Sequence, residues 1–562
     1  MNTTLAPLTV TFENGTTALV APRTPLRDVL PPTASANGLP TIAALVNNDV
    51  TSLSYLIEMD CTVCPLTRTN PEGVHVYQRS LTFLLAKTVK ELYPAASFAV
   101  DYAMGNALYC SFDPKGESDH GTGALPEHVD ALRARMRESV AANLPIERRK
   151  VSFADAIARF NAAGQTDKLN LLKFRNPPRI TLHGCGGFYD LAQGPLVPAT
   201  GVLTCFELGH YPPGLILQLP LPGQPDQVAP FKDQPHLFQI FREHKAWGRI
   251  LGVSTVGRLN EIIVNSDISD FIKVSEALHE KKVATIADEI KRRRPETRAV
   301  LVAGPSSAGK TTFAKRLGIQ LRVNALQVST ISLDNYFFDL ARTPRQPDGQ
   351  PDFEHIDALD LTLFNRDLSR LVAGEEVELP VFDFNTKQRT YRGDRIRLGP
   401  DSILIIEGIH GLNPRLTEQV AERNKFRVYV SALTQLSIDG NNRIPTTDNR
   451  LIRRMVRDRK YRGHAAQKTL SMWPSVRRGE ERWIFPFQDQ ADAIFNSALD
   501  YELAVLKPIA EPLLMEVKPS DREYAEARRL TAFLLNFIGI PDREVPSTSM
   551  LREYIGRSSF RY

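Results

Sequence analysis

The stretch Leu301–Thr312, "LVAGPSSAGKTT", constrains this chain more than any other. From Gly304 to Thr311 it satisfies G-x-x-x-x-G-K-[ST]. An apolar run, Val300–Ala303, precedes it, and Phe313, Leu317 and Leu321 recur at helical spacing behind it. A strand that turns through glycines into a helix aims backbone N–H groups at a phosphate. Gly304, Pro305, Ser306, Ser307, Ala308, Gly309, Lys310, Thr311 and Thr312 are therefore expected to cradle the phosphates of ATP. Lys310 would reach the β- and γ-phosphates, and the Thr311 hydroxyl would ligate Mg²⁺.

The surroundings of the loop predict its fold. From residue 298 the runs "AVLVAG", "VSTISLD", "SILIIEG" and "FRVYVSA" alternate with helical stretches. Buried parallel strands read this way, so an α/β P-loop domain with a parallel sheet is expected. In such sheets ligands bind beyond the carboxyl ends of the strands. Glu407 closes "SILIIE" and is a candidate to hold Mg²⁺ or its water. Asp334, just past "STISL", has two readings: acceptor of a hydroxyl proton, or helix N-cap. Arg450, Arg453, Arg454 and Arg457 recur at i, i+3, i+4 and i+7, one helix face. That face would close over a triphosphate as a lid, or be a solvated basic helix. A guanine-binding GTPase is not expected, because "NKFR" (424–427) lacks the acid of N-K-x-D.

At 562 residues the chain needs several domains. A net charge of +5 does not demand a nucleic-acid partner. Five cysteines, at 61, 64, 110, 185 and 205, argue for a reducing compartment rather than a disulfide scaffold. Cys61/Cys64 has half a zinc spacing without a second pair and is read as two free thiols; His183 with Cys185 lacks partners too and is read as structural. The opening "MNTTLAPLTVTFENG" lacks the layout of a signal peptide, and no run of about 18 apolar residues occurs. A cytoplasmic protein without a membrane partner is expected; homo-oligomers stay open.

In the N-terminal half, "LTVTFENGTTALV" (8–20) predicts a hairpin around Asn14-Gly15, with Leu8, Val10 and Phe12 on one face. Leu81, Leu84, Leu85, Val89 and Leu92 predict a helix over 77–93. Two strands should meet at Gly105-Asn106, and a helix should cover 127–142. "HYPPGLILQLPLPGQPDQ" reads as a boundary or long surface loop. Helices are expected near 233–247 and 268–293, with Arg292–Arg294 a solvated helix end.

Six strings in order, "GPSSAGKT", "SLDNYF", "PDFEHIDALD", "LPVFDFNTKQR", "LIIEGIHGLN" and "NRLIRRMVRDRKYRGH", resemble the uridine kinase and phosphoribulokinase family, most closely its uridine kinase branch. The resemblance covers about 298–530, and "STSMLREYIGRSSF" resembles the tail of that family's multidomain members. It implies an ATP- and Mg²⁺-dependent kinase acting on a small molecule, the 5′-hydroxyl of a nucleoside first. It places Asp334 as catalytic base, Glu354 and Arg454 on the ribose hydroxyls, and Arg457 and Arg462 on the transferring phosphate. Tyr336, in "SLDNYF", is counted with the substrate side. Two positions depart: Phe382 and Lys387 stand where the family has a Tyr and a His against the base. His464 stands at a lid Arg. The acceptor could thus be another nucleoside or a different hydroxyl compound. A sugar-phosphate kinase is the enzyme alternative, since Lys387 could pair with an anion.

Residues 7–70 resemble a TGS domain, a β-grasp module. "YQRSLTFLLAKTVKELYP", "NALYCSF" and "YDLAQGPLVPATG" resemble the second additional (editing) domain of threonyl- and alanyl-tRNA synthetases. Its metal and editing positions are Arg79, Phe83, Ala192 and Leu196 here, none of them a zinc ligand, so hydrolytic editing is not expected. This half would bind, regulate or dock. RNA or tRNA contact, in an ATP-dependent regulator, is the reading from a different class. The expected division is 1–70 TGS-like, 71–205 editing-like, 206–297 linker and helical connection, 298–530 kinase-like, and 531–562 tail.

Overall fold

The computed structural model describes residues 6–33, 38–116, 123–221, 223–265, 267–346, 349–383 and 386–562. Residues 1–5, part of the opening inspected for a signal peptide, and residues 384–385 of "LPVFDFNTKQR" lie outside them.

The first hairpin forms as expected. Leu8–Phe12 pairs antiparallel with Thr17–Val20, Val10 is fully buried, and Leu8 and Phe12 pack beside it. Cys61–Leu66 then adds parallel to the first strand and antiparallel to Ala43–Val46, completing a five-stranded sheet.

The long helix is Pro71–Leu92 and begins six residues before the predicted start. Proline at its first position fits a helix start. The early turn "PEGVHV" hid its period because Gly73 faces a backbone: a Cβ there would sit 1.8 Å from the Thr67 carbonyl oxygen. The helix packs into one core with the antiparallel sheet Glu207–Tyr211, Gly214–Gln218, Ala107–Asp113 and Ser97–Met104. This corrects the reading of "HYPPGLILQLPLPGQPDQ" as a boundary or long surface loop over residues 210–218; the described residues of 219–227 are irregular. The corrected part belongs to a hairpin turning at Pro212-Pro213, and it carries the editing-like domain past residue 205 to about 218. Leu215, Ile216 and Leu217 are all buried, so no period-two alternation marked the strand.

The segment 206–297, expected as linker and helical connection, holds the helices expected near 233–247 and 268–293 but packs as core rather than as a linker. Helices Pro235–Leu251, Val256–Val264 and Ile268–Arg292 contribute to cores shared with the C-terminal half. Val283, Ile286 and Ile290 pack in one cluster with Phe313, Leu317 and Leu321. Arg316 of the phosphate-loop helix reaches Glu280 at 2.7 Å. The Arg292–Arg294 run is only partly solvated: Arg293 ion-pairs Asp492 at 2.7 Å, and Arg294 donates to carbonyls of Thr297 and Pro400.

The C-terminal sheet is parallel throughout, in the order Gln327–Ser332, Ser402–Glu407, Ala299–Ala303, Lys425–Ser431, Ala493–Asn496. The expected boundary at 530 is wrong in kind. Helix Tyr524–Leu534 crosses it, and Met550, Leu551 and Tyr554 are fully buried in the core of the kinase-like half.

The two halves are joined by buried polar contacts as well. The hairpin Ser437–Arg443 reaches from the C-terminal half into the editing-like half. There Lys168, 1% exposed, ion-pairs Asp190 at 2.9 Å and Asp439 at 3.2 Å. Asn441 donates to Asp190 at 2.6 Å, and the Val100 N–H donates to the Gly440 carbonyl at 2.8 Å. All five cysteines are free. Among the described residues no helix is long and apolar enough to cross a membrane, and no cluster of three or more His, Cys, Asp and Glu is arranged to hold a metal ion.

Candidate active site

The phosphate loop leaves the strand Ala299–Ala303 and enters the helix Lys310–Val323. Gly304 is required by crowding: a Cβ there would lie 2.0 Å from the Val430 carbonyl oxygen. Gly309, at φ 84°, takes the left-handed turn into the helix. Lys310 lies in the floor of the cleft, its Nζ donating to the Pro305 carbonyl at 3.2 Å. Burial lowers its pKa, and Glu407, Asp334 and Glu553 oppose that shift.

Asp334 and Glu407 arrive from neighbouring strands. Ser332 pairs with Glu407 at the carboxyl ends of the two strands, and the Ser332 hydroxyl donates to the Glu407 carboxylate at 3.3 Å. Asp334 sits two residues on, inside the 3₁₀ turn Leu333–Tyr336, which has no side-chain cap, so the N-cap reading falls away. Burial raises the pKa of Asp334, against Lys310, Arg462 and Arg457. Burial likewise pushes Glu407 up to about 7, with Lys310 opposing. Glu354 is pushed up to about 7 by burial, with Arg454 opposing. It is packed so tightly on Gly479 that a Cβ there would meet its own Cβ at 2.5 Å.

The arginine helix, Thr446–Arg462, corrects the expected four-residue lid. Its basic face does point at the phosphate loop, but at two depths. Arg450 is buried, ion-paired to Glu480 and donating to the Ser306 carbonyl at 3.0 Å. Glu480 accepts the Ser306 N–H at 3.2 Å. Arg453, also buried, pairs with Glu502 and donates to the Ser307 carbonyl at 3.3 Å. These two brace the loop from behind. Arg454, Arg457 and Arg462 face the cleft, with His464 beside them. All three share the buried carboxylate of Asp458, at 3.3, 3.4 and 3.2 Å. Arg454 also donates to the Ser306 hydroxyl at 2.8 Å.

Phe382 and Lys387 both line the cleft. The Phe382 ring lies 5.6 Å from that of Phe337, and the Lys387 ammonium sits 5.6 Å above Phe353. Two expected contacts are not there. Tyr336 is 1% exposed, edge-on to Phe364 at 5.0 Å, with its hydroxyl 3.4 Å from Asp367. Two steps along a 3₁₀ turn rotate it about 240° from Asp334, into the core. Thr312 does not itself line the cleft: its N–H and hydroxyl both donate to Glu553, at 3.3 and 2.6 Å.

Sequence reasoning missed the contribution of the C-terminal segment. Glu553 lines the cleft. The Tyr554 hydroxyl donates to the Ser307 carbonyl at 3.0 Å, and Met550 packs on Gly309. The only signal was the resemblance of "SMLREY" to a family tail, which carried no contact. Glu480 and Asp458 were missed because a buried acid looks the same in sequence as a solvated one.

The donors fit a nucleotide with its metal. Thr311 and Glu407 line the same floor, and Glu407 is a half-buried carboxylate that a divalent cation would hold ionised. The cleft measures about 1990 Å³ and runs on from Arg454 to helix Pro71–Leu92. On that helix Phe83 is buried against Phe188 at 5.3 Å; Leu196, in the irregular stretch after Phe188–Asp190, is 2% exposed. With Ala192 packed against the same core, apolar packing thus occupies three of the four positions where the resemblance places ligands, while Arg79 faces the cleft.

A lysine and two acids at parallel strand ends, with arginines above them, can bind a nucleotide and transfer its phosphate. Residues 299–504 match the phosphoribulokinase / uridine kinase family. The N-terminal region is similar to threonine–tRNA ligases: 35% identical over 170 residues to those of Acidithiobacillus ferrooxidans and Methylococcus capsulatus. Each match covers 30% of this chain and 25% of the ligase, so the chain spans about a quarter of those relatives. A solved structure described as a possible uridine kinase from Bacillus stearothermophilus matches at 19% identity and a TM-score of 0.27, over 38% of this chain and 98% of that one. The kinase-family match and the site lie on the same residues, and they support a small-molecule kinase.

Proposed function

We propose that this chain is an ATP- and Mg²⁺-dependent kinase that phosphorylates a hydroxyl of a small molecule, with the 5′-hydroxyl of a nucleoside as the first acceptor to test. The observation that carries this is the convergence of Asp334, Glu407, Lys310, Arg457 and Arg462 on one cleft floor at the ends of parallel strands. Asp334 accepts the proton of the attacking hydroxyl. That oxygen bonds to the γ-phosphorus as the β–γ bridging bond breaks, leaving ADP. Lys310, Arg457 and Arg462 neutralise charge on the moving phosphoryl group. Thr311 and Glu407 would hold Mg²⁺, which supplies further charge neutralisation. Glu354 and Arg454 are placed to orient the acceptor. Phe382 offers stacking without a hydroxyl and Lys387 only donors, so a pyrimidine would be held less selectively than by a Tyr and His pair.

The test is ADP release with ATP and Mg²⁺ against nucleosides and sugar phosphates. Stimulation by one class names the acceptor; no stimulation by any ends the kinase reading. The similarity to threonine–tRNA ligases favours a second role, tRNA contact by the N-terminal half of a cytoplasmic protein. Binding of tRNA by the full chain at low salt tests it, and no binding there contradicts it.

A further inference from the structure

The cleft is larger than one small ligand requires, pockets for such ligands being about 300–1,000 Å³. Its second lobe lies away from the phosphate loop and is walled by both halves of the chain. Helix Pro71–Leu92 presents His75, Gln78 and Arg79, and the hairpin from the other half presents Asn441, Asn442 and Arg443. The charges there are unequally committed. Arg529 takes two of the acids there, donating to Asp448 at 2.6 and 2.9 Å and to Glu526 at 2.6 and 2.8 Å; Glu72 and Glu523 also line the cleft. Arg79 has no ion pair among the described residues; one Nη donates to the Pro195 carbonyl at 3.3 Å, and its buried Nε has no partner. The Arg443 side chain has neither a hydrogen bond nor an ion pair among the described residues. Burial lowers the pKa of both guanidiniums, Arg79 to about 9. Both guanidiniums are half-buried and neither has an ion pair among the described residues, so each keeps donors that an anion can complete.

We propose that the lobe formed by His75, Arg79 and Arg443 is a second subsite that binds a small-molecule oxyanion, a phosphate or carboxylate. Arginine suits such a group through two parallel N–H···O bonds. Gln78 adds a neutral polar group, while the amides of Asn441 and Asn442 are already held by Asp190 and by Asp439 and Leu191. The lobe and the transfer site both lie along helix Thr446–Arg462, which lines the cleft with Asp448, Leu451, Arg454 and Arg457. Asp448 and Arg457 are nine residues apart, on the order of 14 Å along the axis. The anion is therefore either the far end of an extended acceptor or a separate effector. This gives the former editing helix a function in a chain that has lost the editing ligands.

The subsite is tested without turnover, so it stands or falls apart from the kinase reading. Inorganic phosphate is titrated calorimetrically into full-length Lys310→Met protein, in which the phosphate loop is crippled. Saturable binding is expected, weakened at least tenfold by Arg79→Gln or Arg443→Gln and largely restored by Arg79→Lys. Circular dichroism verifies that each variant is folded; should Arg79→Gln not fold, Arg443→Gln decides. Absence of binding, or binding indifferent to the substitutions, overturns the proposal. Turnover then separates the sources. If the anion belongs to the acceptor, Arg443→Gln raises KM for phosphorylated acceptors and not for neutral ones. If it is an effector, added phosphate changes kcat with neutral acceptors, and Arg443→Gln abolishes that response.

Discussion

The pair Arg450–Glu480 makes the sharpest prediction about how the phosphate loop is held. Both side chains are buried, at 1% and 0% exposure. Glu480→Leu removes the carboxylate and strands the Arg450 guanidinium in the core. Breaking one side of a buried pair costs about 3–5 kcal/mol, because the remaining charge keeps its desolvation penalty. Arg477, which also reaches Glu480 at 3.1 Å, is half-exposed and adds little. Arg450→Met should cost a similar amount by stranding Glu480, which the Ser306 N–H cannot compensate. The double variant Arg450→Met/Glu480→Leu leaves neither charge, so its loss should fall well short of the sum, with a coupling of at least about 2 kcal/mol. The assay is urea unfolding followed by tryptophan fluorescence. Arg450 lies 5.3 Å above the buried Trp473 ring, so this transition reports on the right region. Single losses below about 1 kcal/mol, or losses that add within 0.5 kcal/mol, would refute the bracing role and return Arg450 to a lid.

Other expectations follow from the same geometry. Arg457→Ala should lower kcat by about 10²–10³ while leaving the urea midpoint nearly unchanged, since Arg457 faces the cleft; an equal fall in stability would contradict this. Glu354 has a folded pKa of about 7 against an ordinary 4.5, so its burial is without effect below pH 4.5 and costs stability progressively as pH rises to 7. Glu354→Gln should therefore gain up to about 3 kcal/mol over the parent above pH 7 and nothing below pH 4.5, measured by unfolding across pH. Phe382→Tyr with Lys387→His should raise kcat/KM for uridine relative to other acceptors by about tenfold or more; an unchanged ratio would show that these positions do not read the base.

Much of the site was legible because phosphate chemistry leaves local patterns. The loop, the strand ends at Glu407 and Asp334, and the basic helix each follow from residues within one or two turns of each other. What was not legible depends on distant partners. The spacing of the four arginines placed them on one face, but their depth is set by Glu480 and Glu502, 30 and 49 residues away. Thr312 was read as a phosphate contact until Glu553, 241 residues on, claimed both its donors. The hairpin at Pro212-Pro213 was hidden because both faces of its second strand are buried, and the docking of Lys168 on Asp439 spans 271 residues. Local periodicity carries no trace of such pairings.

The central claim is that Asp334 takes a proton from an acceptor hydroxyl on this cleft floor. Its direct test is acceptor-stimulated ADP release by the parent chain and by Asp334→Asn, at saturating ATP and Mg²⁺. Asparagine keeps the shape but cannot accept the proton, so kcat should fall about 10²–10⁴-fold with ATP binding retained. An Asp334→Asn chain that turns over at the parent's rate would contradict the account.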